Sequence, residues 1–291
     1  MISIAIASCR DIRLLRETLD TVLPQALLAG ARVTVARPNH LREASSDAEF
    51  DEWGCRVVWC APDSSIPQLR GAALSASTGD WVALTEDNCV AAPGWLGHLR
   101  AGASSAVQVV GGSMGNARPG RAIDAGAAYA EYGFFGPDRA GGGGRAPLVT
   151  GATVMYHRSV VEQVSDWAVA GDWEDVIHGR LCQADVRFAV LPDAMMLQNL
   201  EYRLGDFCMD RYQHGRDYAR VRARDASLGM RVRFIAATPV LPVVLAWRIW
   251  RSAGRATPAQ FARALPWTVT FLSAWAAGEA VGYLTAGREH G

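Results

Sequence analysis

The chain has 291 residues, of which 50% are hydrophobic and 20% charged, and its formal net charge is zero. These values exclude a disordered, collagenous or coiled-coil chain, and the neutral charge excludes a general nucleic-acid coat; no nucleic-acid partner is expected. The length suits one large α/β domain, or one domain with an appendage. In chain order, Ile2–Ala7 alternates and is rich in isoleucine, which predicts a strand. Ile12, Leu15, Leu19, Val22 and Ala26 fall at steps of three and four and predict a helix, which Pro24 should kink or end early. Residues 32–36 and 56–60 predict two further strands. Residues 67–77 predict a helix closed by Gly79, and residues 81–85 and 107–110 predict the next strands. Strands alternating with helices imply a parallel, doubly wound sheet, whose ligands bind beyond the carboxyl ends of its strands. The Gly141–Gly144 run reads as a linker or lid, because the lysine and following Ser/Thr of a phosphate loop are missing.

The tail differs in character. Residues 203–233 carry many arginines. Residues 234–247 are uncharged and apolar, and residues 264–287 are apolar apart from Glu279. Arg248, Arg251, Arg255 and Arg263 lie between, so the tail reads as two hydrophobic helices joined by a basic loop, a hairpin over 226–291 appended to a domain over 1–225. The six cysteines make no CxxC pair and no zinc spacing with histidine, which predicts reduced thiols. The opening strand has no charged leader and no cleavage site, so the chain does not open on a signal peptide and the catalytic part is expected in the cytoplasm. His40, His98 and His157 are isolated and read as surface or core residues.

The chemistry concentrates at Thr85-Glu86-Asp87-Asn88, directly after a predicted strand. Mg2+ or Mn2+ takes one or two carboxylates and fills its other positions with phosphate oxygens and water. Alone, the triplet reads better as a solvated turn than as a metal site. Its surroundings are more specific. The run from Gln68 through Arg70, Gly79, Asp80 and Trp81 to Glu86-Asp87-Asn88, then Pro93, Trp95 and Leu96, resembles the central signature of family 2 glycosyltransferases, as does the opening strand and helix with Gln25. The likeness extends over roughly residues 2–225 and points to the membrane-associated, bacterial members. It implies a GT-A fold, with a Rossmann-like, mostly parallel sheet flanked by helices, and a nucleotide-diphosphate sugar as donor. It also implies Asp87 and Asn88 at a Mg2+ or Mn2+ ion, and Ser8, Arg10, Arg70, Glu86 and Asp87 around the donor.

A second block, Val149-Thr-Gly-Ala-Thr-Val-Met-Tyr-His-Arg158, resembles the family segment lining the sugar and acceptor cleft, which assigns Gly151 and Ala152 to donor binding. Trp173-Glu174-Asp175 follows, where the family places its catalytic carboxylates. The resemblance makes Asp175 the base that deprotonates the acceptor hydroxyl, with Glu174 contacting the acceptor or positioning the base. The competing reading is that both acids merely favour a helix first turn. Arg211 and Arg216 match the family's basic segment after the base; diphosphate binding and a face toward anionic lipid both suit them.

The pattern also departs from the family. Ala36-Arg37-Pro38-Asn39 replaces the aspartate that contacts the nucleotide base, and Gln198 and Asn199 stand where a metal-binding histidine often follows. A spanning helix needs about 20 apolar residues, which the second tail segment offers by length. A two-helix crossing would put the connecting arginines outside, so a re-entrant or interface-lying hairpin at the cytoplasmic face of the inner membrane fits the charge rule better, with a buried amphipathic subdomain or a dimer contact as the soluble alternative. The expected activity is inverting, metal-dependent transfer of a sugar to a hydroxyl of a lipid-linked glycan or surface-polysaccharide precursor. A catalytically degenerate membrane scaffold on the same fold is the second class. A sugar nucleotidyltransferase is disfavoured, because Ser8-Cys9-Arg10-Asp11 is no glycine-rich basic loop.

Overall fold

The Ile-rich opening forms β1 (Ile2–Ala7), buried along its whole length. The structure is a computed structural model and describes residues 1–43, 46–104, 106–137, 149–224, 226–255 and 257–286; the Gly141–Gly144 run lies outside them. Contacts divide the chain into two units, Met1–Ala117 with Arg139–Asn199, and Arg118–Asp138 with Leu200–Gly291.

In the first unit, α1 (Ile12–Ala29) begins at Asp11, whose carboxylate accepts the Arg13 N–H, and closes on Gly30 at φ 60°. Leu15, Leu19, Val22 and Ala26 make its buried face. The helix runs past Pro24 to Ala29, so the proline does not end it early. Pro24 withholds a donor from the Asp20 carbonyl, but both residues are exposed, so that carbonyl is open to solvent while Val22 and Ala26 keep the other face packed. Next come β2 (Arg32–Pro38), α2 (Ser46–Glu52), β3 (Cys55–Cys60) and α3 (Ile66–Ala76). Ser65 and Gln68 form a capping box at the start of α3, and the helix ends at Ser77 rather than at Gly79. Gly79 serves a different purpose: a Cβ there would lie 2.6 Å from the Ser3 nitrogen. The unit continues with β4 (Trp81–Glu86), β5 (Cys89–Ala91), α4 (Trp95–Gly102) and β6 (Val109–Asn116). After α5 (Ala122–Tyr132), which belongs to the second unit, it resumes with β7 (Val154–His157), α6 (Arg158–Val169), α7 (Glu174–Gln183) and β8 (Phe188–Gln198).

The eight strands form one sheet in the order β3-β2-β1-β4-β7-β6-β8-β5. β1 pairs in parallel with β2 and β4, β2 with β3, and β6 with β8. β7 is antiparallel to both neighbours and β5 to β8, so the sheet is mixed beyond β4. On the face that α3 and α6 cover, the core is apolar: Leu69, Leu74, Val82, Leu84, Val154 and Val164 are all buried. Each such side chain contributes about 1.5–3 kcal/mol.

The second unit is helical: α5, α8 (Leu204–Ala223), α9 (Leu228–Ala237), α10 (Leu241–Ile249) with a π-helical turn Trp250–Gly254, and α11 (Pro258–Thr285). Phe207, Ile249, Phe261 and Phe271 form its core. α8 and α11 approach through glycine. A Cβ at Gly278 would lie 2.0 Å from the Tyr212 carbonyl oxygen, and one at Gly215 would lie 2.3 Å from that of Trp275. The tail is therefore three helices where two were expected. The basic stretch is largely helical, with Arg248 in α10, Arg251 in the π turn and Arg263 in α11. Among the described residues no single helix is long and apolar enough to cross a membrane. α11 has the length, but Thr268, Thr270, Ser273 and Glu279 dilute it. α9 together with α10 and its turn meets the requirement as a pair bent by 69°.

Candidate active site

The register that pairs Ala7 with Glu86 brings Ser8 and Asp87 out side by side at the carboxyl ends of β1 and β4. The Ser8 hydroxyl donates to Asp87 Oδ2 at 2.9 Å and the Arg10 N–H donates to the same oxygen at 2.8 Å. From the end of β2, the Arg37 guanidinium donates to Ser8 Oγ. Ser8, Arg37 and Asp87 are all buried. Burial pushes the Asp87 carboxyl above its ordinary range, against the pull of the Arg10 N–H, the Arg10 charge and Ser8. Burial likewise lowers the Arg37 guanidinium, with Asp87 acting to hold its charge. Burial raises the neighbouring Cys9 thiol to about 12, so it stays protonated.

The second acidic run reaches the same place through Arg70, on α3. Its guanidinium pairs with Glu86 at the end of β4 and with Glu174 in the first turn of α7. Side-chain exposures are 8% for Arg70, 10% for Glu86 and 22% for Glu174, so the triad is largely removed from water. A Cβ on Gly151 would lie 2.6 Å from Arg70 Cζ, and the Trp173 ring centre lies 5.6 Å from it. The Gly151 N–H donates to Glu174 Oε1 at 3.4 Å. Burial opposes ionisation of Glu174, but the Arg70 charge and its hydrogen bond prevail and lower the carboxyl to about 2. Behind it, the Tyr156 hydroxyl and His178 Nε2 lie 2.7 Å apart, and burial lowers His178 to about 4, leaving it neutral at pH 7. Asp175, one residue beyond Glu174, is exposed.

The first unit thus gathers Ser8, Arg10, Arg70, Glu86, Asp87, Gly151 and Glu174. Ala152 is buried and donates its N–H to Thr150 Oγ1. Asn88 follows Asp87, and its side-chain oxygen accepts from Cys89 Sγ at 3.2 Å. Its carbonyl accepts the Asn199 N–H at 2.7 Å, and Gln198 pairs with Cys89, so both residues noted after the last strand stand beside the acidic run. Gln25 ties α1 to the chain around α4, donating to the Ala92 carbonyl and accepting the Leu96 N–H. Arg158 donates to the carbonyls of Ser77 and Gly79 behind α3. Arg211 and Arg216 belong to the second unit. Arg211 is buried with its guanidinium 4.4 Å from the Trp275 ring centre, and Arg216 lies 3.6 Å from Asp217. Arg37, Tyr156 and His178 escaped the sequence reading as site residues. For Arg37 the signal was present, since a charged residue inside a run of strand residues needs a partner.

Among the described residues no group of three or more His, Cys, Asp or Glu could hold a metal ion. A cation that takes one carboxylate and completes its shell with phosphate and water would need a free carboxylate oxygen only. The hydrogen bonds from Ser8 and Arg10 to Asp87 both fall on Oδ2, so Oδ1 is the atom that would meet such a cation.

A family model described as "Glycosyltransferase like family 2" matches residues 1–223. No curated protein matches the chain. Among solved structures, the mannosyltransferase PcManGT from Pyrobaculum calidifontis, in complex with GDP-Man and Mn2+, superposes with a TM-score of 0.56 at 16% identity, covering 97% of this chain and 86% of that one. Glucosyl-3-phosphoglycerate synthase from Mycobacterium tuberculosis gives 0.46 at 13% identity, covering 74% and 77%. S. aureus TarS 1–349 gives 0.46 at 14% identity, covering 98% and 89%.

Proposed function

The chain belongs to glycosyltransferase family 2 and has the GT-A fold, and from that premise we propose that it transfers a sugar, with inversion, from a nucleotide-diphosphate donor to an acceptor hydroxyl. One observation carries the reading: two acidic runs far apart in the chain meet at the Arg70 guanidinium, beyond the carboxyl ends of β1 and β4. Asp175 takes the acceptor proton as the hydroxyl oxygen attacks the anomeric carbon. The bond from that carbon to the diphosphate oxygen breaks, and its electron pair leaves with the diphosphate. Glu174 does not compete for the proton, because Arg70 keeps it ionised and hydrogen-bonded. Asp87, held by Ser8 and the Arg10 N–H, would bind Mg2+ or Mn2+, with the Asn88 oxygen nearby in sequence. When bound, such an ion neutralises charge gathering on the diphosphate.

The mannosyltransferase that shares the fold was solved with GDP-Man and Mn2+, and the same class of donor is our reading here. For the acceptor we favour a lipid-linked glycan at the cytoplasmic face of the membrane. That choice is supported by the stretch from α9 through α10 to the π-helical turn, where Leu228, Val232, Val240, Val243 and Trp247 are exposed among Arg231, Arg233, Arg248 and Arg251. A panel of UDP- and GDP-sugars, screened by thermal unfolding with and without Mn2+, tests the donor. A true donor at 100 times its Kd adds about 2.7 kcal/mol of stability. A raised midpoint that depends on Mn2+ is expected with at least one sugar nucleotide; no shift with any of them would contradict the proposal.

A further inference from the structure

We infer that Arg70 is a positioning residue, clamping the first turn of α7 to the carboxyl end of β4 so that Asp175 stands ready as base, and that it does not bind the donor diphosphate. This rests on the transferase reading above and reassigns a residue that the sequence places around the donor. The guanidinium is already committed. One terminal nitrogen pairs with Glu86 and the other with Glu174, which uses the fork that would otherwise grip a phosphate. Two neighbours also crowd the guanidinium, and the cavity beside it, lined by Pro67, Leu84, Tyr156 and Ile177, is mainly apolar rather than a phosphate cradle. Gly151 leaves no room for even a Cβ against Cζ, and the Trp173 ring lies on Arg70. Electrostatics agree: one cation between two carboxylates carries a net negative charge, which repels a diphosphate.

The clamp also has something to position. Trp173 gives α7 no side-chain cap, and Glu174, in the first turn, is tied to Arg70 and to the Gly151 N–H. Asp175 follows at a rise of about 1.5 Å along the same helix. Releasing Glu174 therefore moves the base, and a misplacement of about 1 Å can cost about 100-fold in rate.

The test compares the wild type with Arg70→Lys, Arg70→Met and the triple variant R70M/E86Q/E174Q. Release of nucleoside diphosphate from GDP-mannose and from UDP-glucose, each with Mn2+, gives kcat and KM, and urea unfolding gives the midpoint. Lysine keeps the charge but cannot bridge two carboxylates as a fork. For Arg70→Lys, kcat should fall about 100-fold while donor KM stays within about twofold. Arg70→Met leaves two buried carboxylates unpaired and should lower the midpoint; the triple variant should recover the midpoint while kcat stays low. A rise in donor KM at unchanged kcat would overturn the inference, because Arg70 would then be a donor ligand. Equal midpoints for Arg70→Met and the triple variant would overturn it too. If the wild type releases nucleotide from neither sugar, the donor choice fails, the sugar-nucleotide panel above decides the transferase reading, and the midpoints alone decide the clamp.

Discussion

Glu174 and Asp175 are adjacent acids in one helical turn, yet their surroundings give them different work. Glu174 is half-buried and ion-paired, and Asp175 is exposed. The Glu174 carboxyl is held at about 2, against the usual 4.5, which fixes the sign of its effect on stability. Its folded-state value is depressed, so its contribution is fully present above pH 4.5 and is lost as pH falls through about 2. Urea unfolding of the wild type and of Glu174→Gln should therefore differ by a constant amount at neutral pH, and the gap should close between pH 4.5 and 2. A gap that persists unchanged to pH 2 would mean Arg70 does not hold the carboxylate. The acidic residues were legible in the sequence because they follow strands, where a doubly wound sheet puts its ligands. Their partners were not. Neither the Arg70 pairings nor the Arg37–Ser8–Asp87 chain leaves a trace in periodicity, since each joins residues from separate elements.

Among the elements, β1, α1, β2, β3, α3 and β4 could be read from hydrophobic spacing because each buries one face or both. β7 could not: it has four residues, and it enters antiparallel between β4 and β6. That Pro24 does not end α1 has a physical reason, since a proline on an exposed helix face costs one hydrogen bond and leaves that carbonyl open to solvent. In the second unit the informative residues are small ones. The close approach of α8 and α11 depends on Gly215, Gly278 and Gly282, and Arg216 backbone atoms line the contact with Gly278 and Gly282. Gly278→Ala puts a methyl group 2.0 Å from the Tyr212 carbonyl oxygen, so the helices must separate. The expected cost is about 1–3 kcal/mol, measured as a lower urea midpoint. An unchanged midpoint would show that the two helices do not pack backbone to backbone.

For the whole molecule, the sequence conveyed the fold class and the helices of the tail, while the division of that tail into three helices depended on packing that composition does not encode. α9 has no buried residue, and Leu228 and Val243 are 78% and 65% exposed. Apolar side chains interleaved with arginine favour an anionic interface. Co-sedimentation with phosphatidylglycerol vesicles should therefore be strong, weaker on phosphatidylcholine, and weaker again for Leu228→Glu with Val243→Glu; equal sedimentation of both proteins would remove the membrane proposal. The central claim is catalytic, and Asp175→Asn tests it most directly. With the donor that the unfolding screen selects, the account predicts that nucleoside diphosphate release falls about 100- to 10,000-fold while donor affinity holds. Turnover equal to the wild type would contradict it.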